Sequence, residues 1–79
     1  MLDHIIKAEQ FNESNEMINK YHIDYERGHS LPFRIETPVG WLGMKVGNWI
    51  VTDDNGEHWV VDDDMYKRTC AYANLFVRK

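Results

Sequence analysis

Trp49-Ile50-Val51-Thr52-Asp53-Asp54-Asn55-Gly56-Glu57-His58-Trp59-Val60-Val61 decides the fold. Two runs of β-branched and aromatic residues flank an Asn-Gly dipeptide. That arrangement predicts a β-hairpin with a type I′ turn, in which both central residues take positive φ. A two-residue loop pairs Asp54 with Glu57, Thr52 with Trp59 and Ile50 with Val61. Val51 and Val60 then lie on the opposite face. Apolar residues on both faces predict a hairpin at the centre of its sheet.

Upstream, Trp41 to Val46 reads as a strand with Leu42, Met44 and Val46 alternating inward, and Gly43 marks a bulge or a close backbone approach. Pro38-Val39-Gly40 turns the chain back to a strand from Pro32 to Thr37, with Phe33 and Ile35 on one face. Gly28 to Pro32 is a loop. Residues 14–22 predict a short helix, with Asn12 or Ser14 as cap and Met17, Ile18 and Tyr21 as its apolar stripe. Residues 4–11 read as a strand, with Ile6, Ala8 and Gln10 on one face and Ile5 and Phe11 on the other.

Downstream, Asp62 caps a helix running to about Ala71, with Asp63 and Asp64 at the favourable end of its dipole. The stretch Tyr72 to Val77 either extends that helix or adds an edge strand. The expected fold is therefore α+β: a small antiparallel sheet of four to five strands with two short helices.

At 79 residues the chain makes a single domain, 1–79, with one core. Hydrophobic content of 43% is enough for that core and argues against a disordered chain. The single cysteine, Cys70, excludes an internal disulfide and suits a reducing compartment. No segment approaches the ~20 apolar residues of a membrane span. The start, Met1-Leu2-Asp3-His4, lacks the basic region of a signal peptide, so a cytoplasmic location is expected. A net charge of −4 disfavours nucleic-acid binding, which depends on neutralising phosphates, and the ending Arg78-Lys79 is too short a basic tail to reverse this.

Read in order, five pieces carry a family resemblance: Ile6-Lys7-Ala8-Glu9-Gln10-Phe11, Ile35-Glu36-Thr37 with Gly40, Gly47-Asn48-Trp49-Ile50-Val51, Asn55-Gly56-Glu57-His58-Trp59, and Asp64-Met65-Tyr66 with Thr69. The set resembles a widespread group of small bacteriophage and prophage proteins. Their pattern runs I-E-A-x-Q-W/F, I-E-T-x-E-G, P-G-D-W-I-I, N/K-G-E-x-Y and P-D-I-F-x-x-T-Y. The resemblance covers nearly the whole chain and implies a phage origin, but assigns no chemistry. Against that pattern, Asn48 replaces an acid, Val46 and Asp63 replace prolines, and Cys70 replaces a tyrosine. Trp41 replaces a small polar residue, which suits a specialised binding surface.

No catalytic, metal or cofactor site is expected. His4, His22, His29, His58 and Cys70 show no metal-ligand spacing. Cys70, near a helix C-terminus, lacks the environment that lowers a nucleophile's pKa. Trp41, Trp49, Trp59, Tyr66 and Tyr72 have only Arg34 and Lys45 as basic neighbours, too few for a base-stacking platform. Packing is expected for Trp49 and Trp59, and exposure for Trp41.

Six acids crowd residues 53–64. Turn and cap chemistry alone accounts for them, and calcium does not fit their spacing. Phosphate mimicry is the functional alternative.

These observations lead to a small phage accessory protein that is not an enzyme and needs no cofactor. It is expected to bind a protein partner stoichiometrically, modulating or inhibiting a host enzyme or defence component. Its expected partner surface is Trp41, Asp53, Asp54 and Glu57. The alternatives are a virion or regulatory component that binds another phage protein, and an acidic nucleic-acid mimic.

Overall fold

In a computed structural model, which describes residues 5–70, the chain forms two three-stranded antiparallel sheets and two short helices. In chain order the elements are β1 (Ile5–Gln10), α1 (Asn15–Tyr21), β2 (Asp24–Tyr25), β3 (Phe33–Thr37), β4 (Gly40–Met44), β5 (Trp49–Asp53), β6 (His58–Val61) and α2 (Asp63–Met65). A wider π-helical turn, Tyr66–Cys70, continues α2. One sheet has the order β1-β5-β6 and the other β2-β3-β4. The α+β class stands, but among the described residues there are six strands in two sheets instead of four or five in one. The two-residue β2 carries no alternating pattern long enough to read from sequence.

β5 is central, as its apolar faces require: Ile50 enters one cluster and Val51 the other, both fully buried. Among the described residues β6 lies at the sheet's edge, so only half of the hairpin is central. Ile50 meets Phe11, Met17, Tyr21, Ile35 and Met44 in the main core, which joins both sheets and α1. Val51 and Val61 pack on the other face with Ile5, Ala8, Trp49, Trp59 and Tyr66.

The hairpin register differs by one residue from the expected one. Val51 pairs with Trp59 and Thr52 with His58. Thr52 and Trp59 therefore lie on opposite faces, and Ile50 faces Val60 instead of Val61. Of the two turn residues only Gly56 has positive φ, at 85°. Its N–H donates to the Asp53 carbonyl at 3.0 Å, and the Asp53 N–H donates to the Glu57 carbonyl at 2.9 Å. This is a three-residue loop closed by a glycine bulge, the next commonest hairpin connection.

β1 carries a second irregularity. Ile5 pairs with Asp53 but Lys7 with Thr52, so Ile6 is an extra residue in the ladder. This bulge puts Ile5 on the face of Ala8 and turns Ile6 out, 62% exposed, reversing the expected faces.

Helix α1 begins where expected. Ser14 Oγ accepts the Met17 N–H at 3.2 Å, and Met17 and Tyr21 are buried. β4 ends at Met44, which leaves Val46 exposed instead of inward. Asp62 caps α2, accepting the Met65 N–H. The residues beyond Cys70, including the stretch Tyr72 to Val77, lie outside the described residues.

Gly43 is a close approach. A Cβ there would stand 2.8 Å from Leu31 Cβ and 3.3 Å from its carbonyl oxygen. Gly43→Ala should therefore cost about 1–3 kcal/mol, as forced overpacking does. Urea denaturation is expected to show a lower midpoint with an unchanged slope.

Candidate functional site

Each of the three tryptophans meets the chain differently. Trp59 Nε1 donates to Asp53 Oδ2 at 3.1 Å, and Trp49 Nε1 donates to Asp63 Oδ1 at 2.9 Å. Trp49 also stacks on Tyr66, with ring centroids 3.8 Å apart and planes 9° from parallel. Half-buried indoles such as these gain from a partner at the N–H. Trp41 has none: it is 45% exposed, and its N–H makes no hydrogen bond among the described residues.

One turn fixes the position of Trp41. Thr37 pairs with Gly40 across the Pro38-Val39 loop. The Thr37 hydroxyl donates to the Gly40 carbonyl at 2.7 Å and accepts the Val39 N–H at 3.2 Å. Gly40 takes φ of 112°, which strongly favours glycine. The next pair in the ladder is Glu36 with Trp41.

This hairpin end lies beside the β5–β6 hairpin end. Between them opens a cleft of about 350 Å³, lined chiefly by Tyr21, His22, Glu36, Trp41, Glu57 and His58. Among the described residues, neither Glu36 nor Glu57 has a side-chain hydrogen bond or ion pair. His58 faces Tyr21 edge-on at 5.0 Å, and its Nδ1 is 3.0 Å from Thr52 Oγ1. Burial, with the Lys7 ammonium nearby, holds the His58 pKa below its usual value and favours the neutral imidazole. The cleft is therefore acidic and aromatic.

Tyr21 closes one side of the cleft through a network not legible in the sequence. Its hydroxyl donates to Glu9 Oε1, and Lys20 Nζ reaches both Glu9 oxygens at 3.0 and 3.1 Å. Burial, then the Glu9 carboxylate, push the Tyr21 pKa up; the hydrogen bond from Tyr21, then Lys20, holds Glu9 down. Lys7 and Lys20 both lie over the Tyr21 ring, at 5.5 and 5.6 Å. Alternation in β1 places Lys7 and Glu9 on one face, but nothing local in the sequence brings Tyr21 to them.

The acidic run divides into separate roles. Asp53 is only 8% exposed, and Oδ1 accepts the N–H groups of Asn55 and Glu57, each at 3.0 Å. With Trp59 on Oδ2, this carboxylate belongs to the inside of the turn. Asp63 receives Trp49 and pairs with Lys67 at 3.0 Å, and Asp64 lies 3.7 Å from Arg68. Asp62 caps the helix. Cap and turn chemistry therefore occupies most of the cluster, while Glu57 lines the cleft and Asp54 is exposed at the tip beside it.

No family model, curated protein or solved structure matches this chain.

Among the described residues no three His, Cys, Asp or Glu side chains converge to hold a metal. His22 and His58 both line the cleft, and His29 lies apart from them, near Glu26 at 3.9 Å. His4 and the Cys70 side chain lie outside the described residues. No described helix is long and apolar enough to cross a membrane.

Proposed function

We propose that the protein acts by stoichiometric binding to a protein partner, with the cleft between the two hairpin ends as its contact surface. Trp41 is the anchor, and Asp54 and Glu57 are the steering charges. The supporting observation is the contrast among the tryptophans: two have their N–H satisfied by an aspartate, and the third stands in an acidic cleft. Exposed tryptophans of this kind are favoured as interface anchors. The resemblance to small phage proteins makes a host enzyme or defence component, in the host cytoplasm, the preferred target. A second phage protein is the alternative. Nucleic-acid mimicry is less favoured, because Asp53, Asp62, Asp63 and Asp64 are engaged within the fold.

The test is kinetic. A partner is identified from host lysate and its binding measured against Trp41→Ala and the pair Asp54→Lys, Glu57→Lys. Trp41→Ala should weaken binding by ~2 kcal/mol or more, mainly through faster dissociation. The charge reversals should mainly slow association, and the difference should shrink as salt rises. Asp53 is left intact because its carboxylate holds the turn. Unchanged affinity in both folded variants places the interface elsewhere.

A further inference from the structure

We propose that the cleft between the hairpin ends accepts an arginine side chain from a basic segment of the partner. This rests on the protein-binding reading above and specifies the chemistry of the contact. Glu36 and Glu57 reach the cleft from different hairpins, and neither is neutralised by a described residue. No lysine or arginine lines the cleft among the described residues: Lys20 bonds to Glu9, Lys7 lies 3.8 Å from the same carboxylate, and Arg34 pairs with Glu26 at 2.7 Å. Burial disfavours the charged form of His58, the histidine that faces Tyr21 in the cleft. Two carboxylates of like sign beside a shared concavity raise the local affinity for a cation.

Trp41 selects which cation. A guanidinium is planar, stacks on an indole face, and carries donors in a fork that reaches carboxylates on more than one side. An ammonium satisfies the charge but gains less from the flat aromatic wall and is more costly to dehydrate. A phosphate-bearing ligand is repelled by both glutamates. A neutral saccharide could stack on Trp41 but would leave the paired charges without a role. At about 350 Å³ the cleft is near the small end of ligand sites, and it suits one long side chain.

The experiment uses the full chain labelled with ¹⁵N and three short peptides that differ only at a central arginine, lysine or citrulline. Citrulline keeps the shape of arginine without its charge. The Trp41 indole signal is assigned by its loss in Trp41→Phe. The arginine peptide is expected to shift that signal together with the Gly56 and Glu57 amides, and citrulline to shift neither at the same concentration. Lysine should bind several-fold more weakly than arginine. The double variant Glu36→Gln, Glu57→Gln keeps side-chain shape and should lower arginine-peptide affinity about tenfold, as expected from two exposed charge contacts. Equal shifts with arginine and citrulline, unchanged affinity in the double variant, or tighter binding of a neutral oligosaccharide at the same signals overturns the proposal. If the arginine peptide leaves the cleft unmoved while Trp41→Ala still loses the partner, arginine recognition is wrong and the binding surface stands. If Trp41→Ala keeps full partner affinity, the surface itself is wrong.

Discussion

Phe11→Ala should destabilise the domain by about 3–5 kcal/mol, the usual cost of removing a buried phenylalanine. Phe11 is 1% exposed and packs edge-on against Phe33, with centroids 5.2 Å apart. It belongs to the main cluster with Met17, Ile35, Met44 and Ile50, where residues of both sheets meet. Its backbone is a clamp as well: its N–H donates to the Asn48 carbonyl at 2.8 Å, and its carbonyl accepts the Gly47 N–H at 3.0 Å. A cavity here lies at the junction of β1, α1 and the β4–β5 connection, where no single element can collapse to fill it. Domains of this size have roughly 4–12 kcal/mol of total stability, so the loss is a large share of the whole. Calorimetry should show the midpoint falling by about 15 °C or more. Phe11→Leu, which keeps much of the volume, should lose far less. A fall of less than about 5 °C in Phe11→Ala would show that the junction repacks freely.

Asp53→Ala should also destabilise the domain strongly, for a polar reason. One carboxylate holds two backbone N–H groups and the Trp59 indole. Alanine leaves all three donors without this acceptor and frees the loop to compete with the two-residue turn that Asn55-Gly56 ordinarily prefers. The expected midpoint loss is about 10 °C, with Asp53→Asn intermediate, since an amide can still accept from the backbone but meets the indole with a donor.

The effect has a pH signature. The hydrogen bond from Trp59, then the Glu57 N–H, hold the Asp53 pKa below its ordinary 3.8. A depressed folded-state pKa contributes stability that is complete above the unfolded value and is lost as pH falls through the folded one. The gap between parent and Asp53→Asn should therefore be constant near neutrality and close only below about pH 4. A gap that persists unchanged at pH 2 would mean the charge contributes nothing.

Asp53 also shows why part of the fold was legible and part was not. The existence of the hairpin follows from two β-branched runs around a turn dipeptide. Its register does not, because Asn-Gly serves both a two-residue and a three-residue loop. The choice is made by a side chain that folds back onto the turn and by an indole two residues beyond Glu57. Ile6 is a similar case: strict alternation assigns it to the face of Ala8, and an inserted residue in the ladder reverses the assignment. Caps and alternation, by contrast, acted locally, so Ser14, Asp62 and the Phe33–Ile35 face were readable directly.

The candidate site divides the same way. Exposure of Trp41 was legible from its position beside a turn, and Glu57 from its place at the hairpin end. That Glu36 and Tyr21 join them was not, because a cleft between two sheets depends on how the sheets meet. No pattern along the chain distinguishes Asp53, turned inward, from Asp54, turned outward.

The bulge at Ile6 has a consequence for how the molecule behaves in a crowded solution. Among the described residues β1 borders its sheet on the outside, and an unpaired strand border is a template on which other chains can polymerise. An inserted residue breaks the regular spacing of free N–H and C=O groups, and the exposed Lys7 beside it places a charge where an incoming strand would have to dock. The exposed isoleucine is thus part of a deterrent to fibre growth: the irregularity that turns it outward also removes the flat border that a second chain would extend.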